Sequence, residues 1–177
     1  MKRIMVMGAS AGAGKSTFAR KLGKKTGIEV YHLDVLYWKP GWVESGLQEF
    51  SDAQHEIVKR RQWIMEGNYT STLEIRAAAC DSVIYLDLPL YICLYRVVKR
   101  WLINLGKTRP DMAAGCREKL DWKFIKFIVT TYKRRKKEMA ERLSQFKTEG
   151  KRVIVLKNTR DIDSFLNNLD GRTDKAL

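Results

Sequence analysis

The sequence has few cysteines, no long apolar run and no repeats, and each absence excludes a class of protein. Its three cysteines, Cys80, Cys93 and Cys116, are odd in number and lack the CxxC spacing of many metal and redox sites. We expect reduced thiols in a cytoplasmic protein. No segment approaches the roughly 18 uncharged apolar residues that a membrane span needs, and the run at 4–7 is too short for a signal-peptide core. The sequence therefore predicts a soluble protein without a membrane partner.

Acidic residues are scarce in one part of the chain. The net charge is +14, and residues 95–160 hold 20 lysines and arginines against 6 acidic residues, whereas the rest of the chain balances. The densest run is KRRKK at 133–137. A solvated helix face, a surface for nucleic acid and a set of arginines that closes over phosphates all fit this pattern. The charge alone leaves the three interpretations open.

Short apolar segments alternate with longer segments of helical period, which is typical of α/β proteins. The predicted strands are 3–7, 29–33, 62–66, 82–88 and 152–156. The predicted helices are 15–25, 47–60, 71–79, 90–104 and 159–169, with a longer one over 118–147. Near-continuous apolar strands favour a parallel sheet covered on both faces. Because no linker or repeat interrupts the pattern, we predict one domain over 1–177, a three-layer α/β/α sandwich around a five-stranded parallel sheet.

The first strand runs into the segment ASAGAGKST at 9–17, which is followed by a helix. In a P-loop of this kind, backbone N–H groups and the helix N-terminus bind nucleotide phosphates. We therefore predict nucleotide binding by Ser10, Ala11, Gly12, Ala13, Gly14, Lys15, Ser16 and Thr17. In this prediction Lys15 bridges the β- and γ-phosphates, Ser16 is a ligand of Mg²⁺ and Thr17 contacts the α-phosphate. Ala9 occupies the position of the usual first glycine, with Gly8 one step early, so the loop geometry is left open.

Other P-loop classes fit the sequence less well. A GTPase would carry a DxxG motif, which is missing, and an NKxD motif, of which NTRD at 158–161 is a poor copy. A motor needs a longer chain, and the threonine after the lysine and serine does not fit a dinucleotide fingerprint. A small-molecule kinase needs only an acceptor site and a closing lid. The length therefore favours a kinase that uses ATP and Mg²⁺.

With these motifs the sequence resembles the adenylate-kinase-like group of P-loop kinases and, within it, the bacterial topology modulation proteins (FlaR-like). The resemblance extends over nearly the whole chain and is carried by GAGKSTFARKL, YHLDVLYWKPGW, WIMEGNY, VIYLDLP, YRVVKR and GKTRPDM. The P-loop is specific for the superfamily, and the second and last stretches indicate the narrower family. The name of that family implies an effect on DNA topology, whereas the residues favour kinase chemistry.

The resemblance implies five acceptor-binding residues. Asp34, at the end of the second strand, would accept a proton from the acceptor hydroxyl or orient it, with a helix N-cap as the alternative. Trp38 and Trp42 would wall the acceptor, or pack the Pro-Gly turn between them. Tyr69 and Arg76 would hold the acceptor, and for Arg76 an exposed ion pair is the alternative.

The resemblance also implies residues for the metal and the nucleotide. Glu66, at the end of the third strand, would hold a Mg²⁺-bound water; Asp87 is a rival that we expect to be structural. Arg96 and Arg100 would bind the base and phosphates of ATP from one helix face. The loop containing Asn158 would contact adenine.

A lid is expected at about 101–118 and an acceptor segment at about 34–60. Arg109, with Lys107, would close on the transferring phosphoryl group, and Arg134 and its neighbours would face the same pocket. The alternative is a nucleotide-regulated DNA-binding protein that uses the basic 95–160 region. No motif identifies the small-molecule acceptor or the oligomeric state.

Overall fold

The computed structural model describes residues 1–106, 112, 115–116 and 120–170. Its main sheet has five parallel strands in the order β2-β5-β1-β6-β7. These are β1 (Arg3–Gly8), β2 (Val30–His32), β5 (Trp63–Glu66), β6 (Ser82–Leu86) and β7 (Arg152–Leu156). Two short strands, β3 (Trp38–Lys39) and β4 (Val43–Glu44), form a separate antiparallel hairpin. The predicted parallel sheet is confirmed, with strand ends that shift by at most two residues.

The helices follow the predicted alternation. They are α1 (Lys15–Thr26), α2 (Leu33–Tyr37), α3 (Leu47–Val58), α4 (Leu73–Ala79), α5 (Leu90–Ile103), α6 (Trp122–Thr148) and α7 (Thr159–Asp170). Helix α6 begins later than predicted, because the Asp121 carboxylate caps it by accepting a hydrogen bond from the Lys123 amide at 2.9 Å. Within the described ranges, none of the helices is both long and apolar enough to cross a membrane.

Alternation along the central strand divides the core into two layers. Met5 and Met7 belong to a buried cluster with residues of α3, α4 and α6, whereas Ile4 and Val6 belong to a second cluster with residues of α1, α5 and α7. Successive side chains of a strand point to opposite faces, so both faces of the sheet are covered. The predicted three-layer sandwich is confirmed.

The carboxyl ends of three neighbouring strands meet at one edge of the sheet. Val6 of β1 and His32 of β2 are both register partners of Glu66 in β5. The P-loop follows β1, α2 follows β2, and Gly67 follows β5. Ligands of open α/β sheets bind at this kind of edge. The fold therefore brings the P-loop and the predicted acceptor segment to the same side of the molecule.

Candidate functional site

Two glycines of the P-loop have backbone conformations that strongly favour glycine over other residues. Gly12 has φ of 79° and Gly14 has φ of 89°, both in the left-handed region. A Cβ added at Gly12 would also lie 2.1 Å from the carbonyl oxygen of Cys93 in α5. The glycines at these two positions are therefore required by the loop geometry and by the close approach of α5.

The question raised by Ala9 is resolved by its place in the core. Ala9 is buried, and its amide donates to the Leu86 carbonyl at 3.0 Å. The crowded position is the preceding one, since a Cβ on Gly8 would lie 3.0 Å from both Ala13 Cβ and Lys15 Cγ. The loop thus accommodates alanine at position 9 and needs glycine at position 8.

The N-terminus of α1 is arranged for an anion. Its N-cap, Gly14, supplies no side-chain hydrogen bond, and the first turn carries no acidic residue. The Lys15 ammonium lies 3.4 Å from the Ser10 carbonyl oxygen, and an Arg96 Nη1 donates to the Ala13 carbonyl at 3.3 Å. Free N–H groups, the helix dipole and two cations thus converge at the loop.

An asparagine that the sequence reasoning missed anchors the start of the loop. Asn68 Nδ2 donates to the Gly8 carbonyl at 2.7 Å, and Asn68 Oδ1 accepts from the Gly8 amide at 3.1 Å. Gly67 makes this approach possible, because its φ is 150° and a Cβ there would lie 2.9 Å from the Leu33 side chain. The GN pair after β5 was the only available signal.

Asp34 lies in the first turn of α2 rather than at the end of β2, so its predicted placement was wrong by one element. Its alternative role as an N-cap is also wrong, because His32 holds that position. Asp34 Oδ1 accepts a hydrogen bond of 2.7 Å from the Tyr69 hydroxyl. Burial and the neighbouring Asp34 carboxylate raise the pKa of Tyr69, so this hydroxyl stays a donor.

Four further aromatic side chains, those of Tyr37, Trp38, Trp42 and Phe50, pack in a row next to the Asp34–Tyr69 pair. The Tyr37 ring centroid lies 4.7 Å from that of Tyr69 and 5.1 Å from that of Trp38, and Trp38 lies 5.3 Å from Trp42. Phe50 packs beneath Tyr37 and Tyr69. The interplanar angles are mostly steep, as in edge-to-face packing. Both sequence-based roles of the tryptophans are compatible with this arrangement, since they line a cleft and pack the turn.

Arg76 does not reach the cleft. It is 1% exposed, and its guanidinium donates to Gln54 Oε1 at 2.5 Å, to the Thr72 hydroxyl at 3.1 Å and to the Tyr69 carbonyl at 2.8 Å. This placement contradicts both roles considered for Arg76 in the sequence analysis, which were a direct contact with an acceptor and an exposed ion pair. Burial lowers the pKa of Arg76 to about 10. The arginine instead fixes the backbone that carries Tyr69.

Glu66 lines the cleft and is paired with a histidine that the sequence analysis did not single out. Its Oε2 lies 2.9 Å from His32 Nδ1, and both side chains are largely buried. Asp87, which we expected to be structural, forms an ion pair of 2.8 Å with Lys136 beside a small cavity of about 260 Å³ under α6. Of the two carboxylates considered for the metal, Glu66 is the one at the P-loop.

A single cleft of about 1170 Å³ connects these features. Its lining includes most of the predicted site residues: Ala11, Gly12, Ala13, Gly14, Lys15, Ser16, Thr17, Asp34, Trp38, Glu66, Tyr69, Arg96 and Arg100. Ser10 is buried and contributes its carbonyl to Lys15. Within the basic run at 133–137 of α6, Arg135 lines the cleft, whereas Arg134 is exposed and lies 3.8 Å from Glu138.

Two further predictions concern Asn158 at the adenine and Lys107 and Arg109 in the lid. The Asn158 side chain does not line the cleft; its Oδ1 accepts from the Asp161 amide at 2.9 Å at the start of α7, and the next residue, Thr159, lines the cleft instead. Lys107 and Arg109 lie outside the described residues.

No protein-family model and no curated protein matches this chain. Solved structures match it over nearly its full length. A shikimate kinase from Acinetobacter baumannii in complex with shikimate has a TM-score of 0.51 at 13% identity, covering 100% of this chain and 97% of that one. A shikimate kinase from Bacteroides thetaiotaomicron has a TM-score of 0.51 at 18% identity, covering 98% of each chain. At these identities the likeness shows the fold, which is the P-loop kinase α/β fold.

Proposed function

We propose that this protein is an ATP-dependent phosphotransferase that moves the γ-phosphoryl group of ATP to a hydroxyl of a small molecule. The observation that carries the proposal is the shared cleft, which joins the anion-binding loop at 10–17 to the Asp34–Tyr69 pair. One end offers backbone N–H groups and cations to phosphates, and the other offers a carboxylate to a hydroxyl. Transfer between two bound substrates needs this kind of juxtaposition.

The chemistry follows from the side chains present. The acceptor oxygen forms a bond to the γ-phosphorus while the bond from that phosphorus to the β,γ-bridging oxygen breaks, and ADP leaves. The proton of the acceptor hydroxyl passes to the Asp34 carboxylate, which Tyr69 orients through its 2.7 Å hydrogen bond. Lys15, Arg96 and Arg100 face the same cleft and stabilise the negative charge that develops on the phosphoryl oxygens.

The site fits magnesium bound together with nucleotide better than magnesium alone. Among the residues that the structure describes, no three His, Cys, Asp or Glu side chains form a cluster that could hold a metal ion. Mg²⁺ in kinases takes one or two protein ligands and completes its shell with phosphates and water. The Ser16 hydroxyl and, through water, the Glu66 carboxylate would hold it here, and the ion would neutralise charge on the transferring group.

The test is a screen of small-molecule alcohols for ATP consumption by the purified protein, repeated with two variants. Lys15→Ala should abolish transfer and weaken ATP binding, because it removes the cation at the phosphates. Asp34→Ala should reduce turnover about a hundredfold or more while leaving ATP binding intact. Turnover that survives Asp34→Ala with every acceptor would contradict the role of that carboxylate.

The nucleic-acid alternative predicted from the basic 95–160 region has less support from the side chains. Two members of the KRRKK run are engaged within the protein: Arg135 lines the cleft and Lys136 pairs with Asp87. Lys133 and Lys137 are exposed. A DNA-binding role predicts that binding weakens steeply with salt and that neutralising 133–137 weakens it equally for all sequences. Absence of a gel shift at low salt would remove this alternative and, with it, the proposed link to DNA topology.

A further inference from the structure

The charged residues of the cleft lining are unevenly distributed, although two acidic residues, Asp121 and Asp163, lie outside its 34–71 part. The described cations of its lining come from α1, α5 and α6: Lys15, Arg20, Lys21, Arg96, Lys99, Arg100 and Arg135. The lining contributed by residues 34–71 contains Asp34, Glu44 and Glu66, and none of its described members is a lysine or arginine. In a protein with a net charge of +14, an acidic half-cleft selects for positive or neutral ligands.

The hairpin places one of these carboxylates beside aromatic rings. Trp38 and Glu44 are directly opposite each other in the β3–β4 ladder, so their side chains leave the same face of the hairpin. The neighbouring Glu44 carboxylate also raises the pKa of the Tyr37 hydroxyl, and the Tyr37 ring lies 5.1 Å from that of Trp38. A carboxylate and two aromatic rings are therefore held together in the lining.

The turn of the hairpin carries a second indole, that of Trp42, and the backbone at this residue is strained. Trp42 has φ of 66° and is the only non-glycine residue in the described part of the chain with positive φ. A bulky residue in the left-handed region is uncommon and tends to occur at binding sites. Trp42 lines the cleft with its ring 5.3 Å from Trp38, so the strained conformation positions an aromatic wall.

We propose that residues 34–71 form a binding site for a hydroxyl-bearing organic cation, with its ammonium group at Trp38, Trp42 and Glu44 and its hydroxyl toward Asp34. Aromatic faces attract ammonium groups through their quadrupole, and a nearby carboxylate adds to the attraction. An acceptor with a phosphate or carboxylate at that end would meet Asp34 and Glu44 instead. The statement that the ligand hydroxyl accepts a phosphoryl group rests on the proposed function, whereas the preference of the site for a cation does not depend on it.

The experiment compares three alcohols of similar size in titrations of the intact protein, followed by tryptophan fluorescence. The probes are choline, its uncharged isostere in which carbon replaces nitrogen, and the anion isethionate. Choline should bind at least about fivefold more tightly than the isostere, and isethionate should bind most weakly. Glu44→Gln should bring choline close to the isostere and leave the isostere unchanged, and Trp42→Leu should weaken choline by a similar factor.

Two matched controls lie outside the cleft lining. Trp122→Phe removes an indole that is 76% exposed, and Glu74→Gln removes an exposed carboxylate; neither should change choline binding. Equal binding of choline and the isostere, insensitivity to Glu44→Gln, or no saturable quenching by choline would each overturn the cation site. Mg·ATP binding measured on the same samples separates the proposals, because its loss counts against the phosphotransferase and its retention alongside any of those outcomes counts against the cation site alone.

Discussion

The two halves of the cleft present different chemical groups to a ligand. The half formed by residues 8–17 uses backbone amides, glycines with left-handed φ and cations from neighbouring helices. The half formed by residues 34–71 uses side chains, namely an aspartate held by a tyrosine and a row of aromatic rings, and the buried Arg76 supports them from beneath. In the proposed function the first half, the loop half, binds the phosphate chain of a nucleotide, and the second half, the acceptor half, selects the acceptor. Substitutions of Asp34, Tyr69 or the aromatic residues of the second half should therefore leave nucleotide binding by the first half intact.

The largest effect is expected in the loop half. Gly12→Ala should abolish nucleotide binding and lower the free energy of unfolding by about 4 kcal/mol, because the new Cβ meets the Cys93 carbonyl and the backbone is strained as well. Gly150→Ala is the matched control, since Gly150 has the same φ of 79° and open space around it. It should cost about 1 to 2 kcal/mol. Equal losses in denaturant titrations of both variants would show that the contact with α5 is unimportant.

A smaller effect is expected beneath the acceptor half. Arg76→Met should lower the free energy of unfolding by about 2 to 3 kcal/mol, because it leaves Gln54 and the Tyr69 carbonyl buried without their donor. Arg142→Met removes a partly exposed arginine that pairs with Glu74 and should cost less than about 1 kcal/mol. Urea titrations of both variants measure the difference. A neutral result for Arg76→Met would mean that the acceptor half does not depend on this arginine.

The smallest effect is expected from removal of a single hydroxyl group, that of Tyr69. Tyr69→Phe removes the donor to Asp34, so kcat/KM for the acceptor should fall by roughly fivefold to tenfold while the Kd for ATP stays constant. Tyr132→Phe removes a comparable hydrogen bond, from the Tyr132 hydroxyl to the Leu88 carbonyl at 2.9 Å, outside the cleft lining. It should leave kcat/KM unchanged. If both variants slowed turnover equally, the Tyr69 effect would be one of general stability.

The difference between the halves also explains what the sequence could predict. A P-loop is a local pattern, so strand, glycines, Lys15 and helix were predictable from consecutive residues. The acceptor half depends on contacts between residues far apart in the chain: Asn68 with Gly8, His32 with Glu66, and Arg76 with Gln54. The family resemblance suggested that Arg76 holds the acceptor, but the side chain is buried and bonds within the protein instead.

The hairpin was missed for a related reason. Strands of two residues have no hydrophobic period to detect, and the segment WKPGW was interpreted only as a loop. Asp34 was assigned to the end of a strand because the five-residue helix α2 is too short to show a helical period. The elements that shape the acceptor end are thus the short ones, whereas the long, periodic elements that carry the sheet and its covering helices were predicted correctly.

The central claim is that the main-chain amides between Ser10 and Ser16 bind the phosphates of a nucleotide. The most direct measurement is the change in backbone amide resonances of the intact protein on addition of Mg·ATP, with adenosine as the phosphate-free control. We expect large shifts for Gly12, Gly14 and Lys15 with Mg·ATP and none at these positions with adenosine. Unchanged resonances at these amides in the presence of saturating Mg·ATP would contradict this claim.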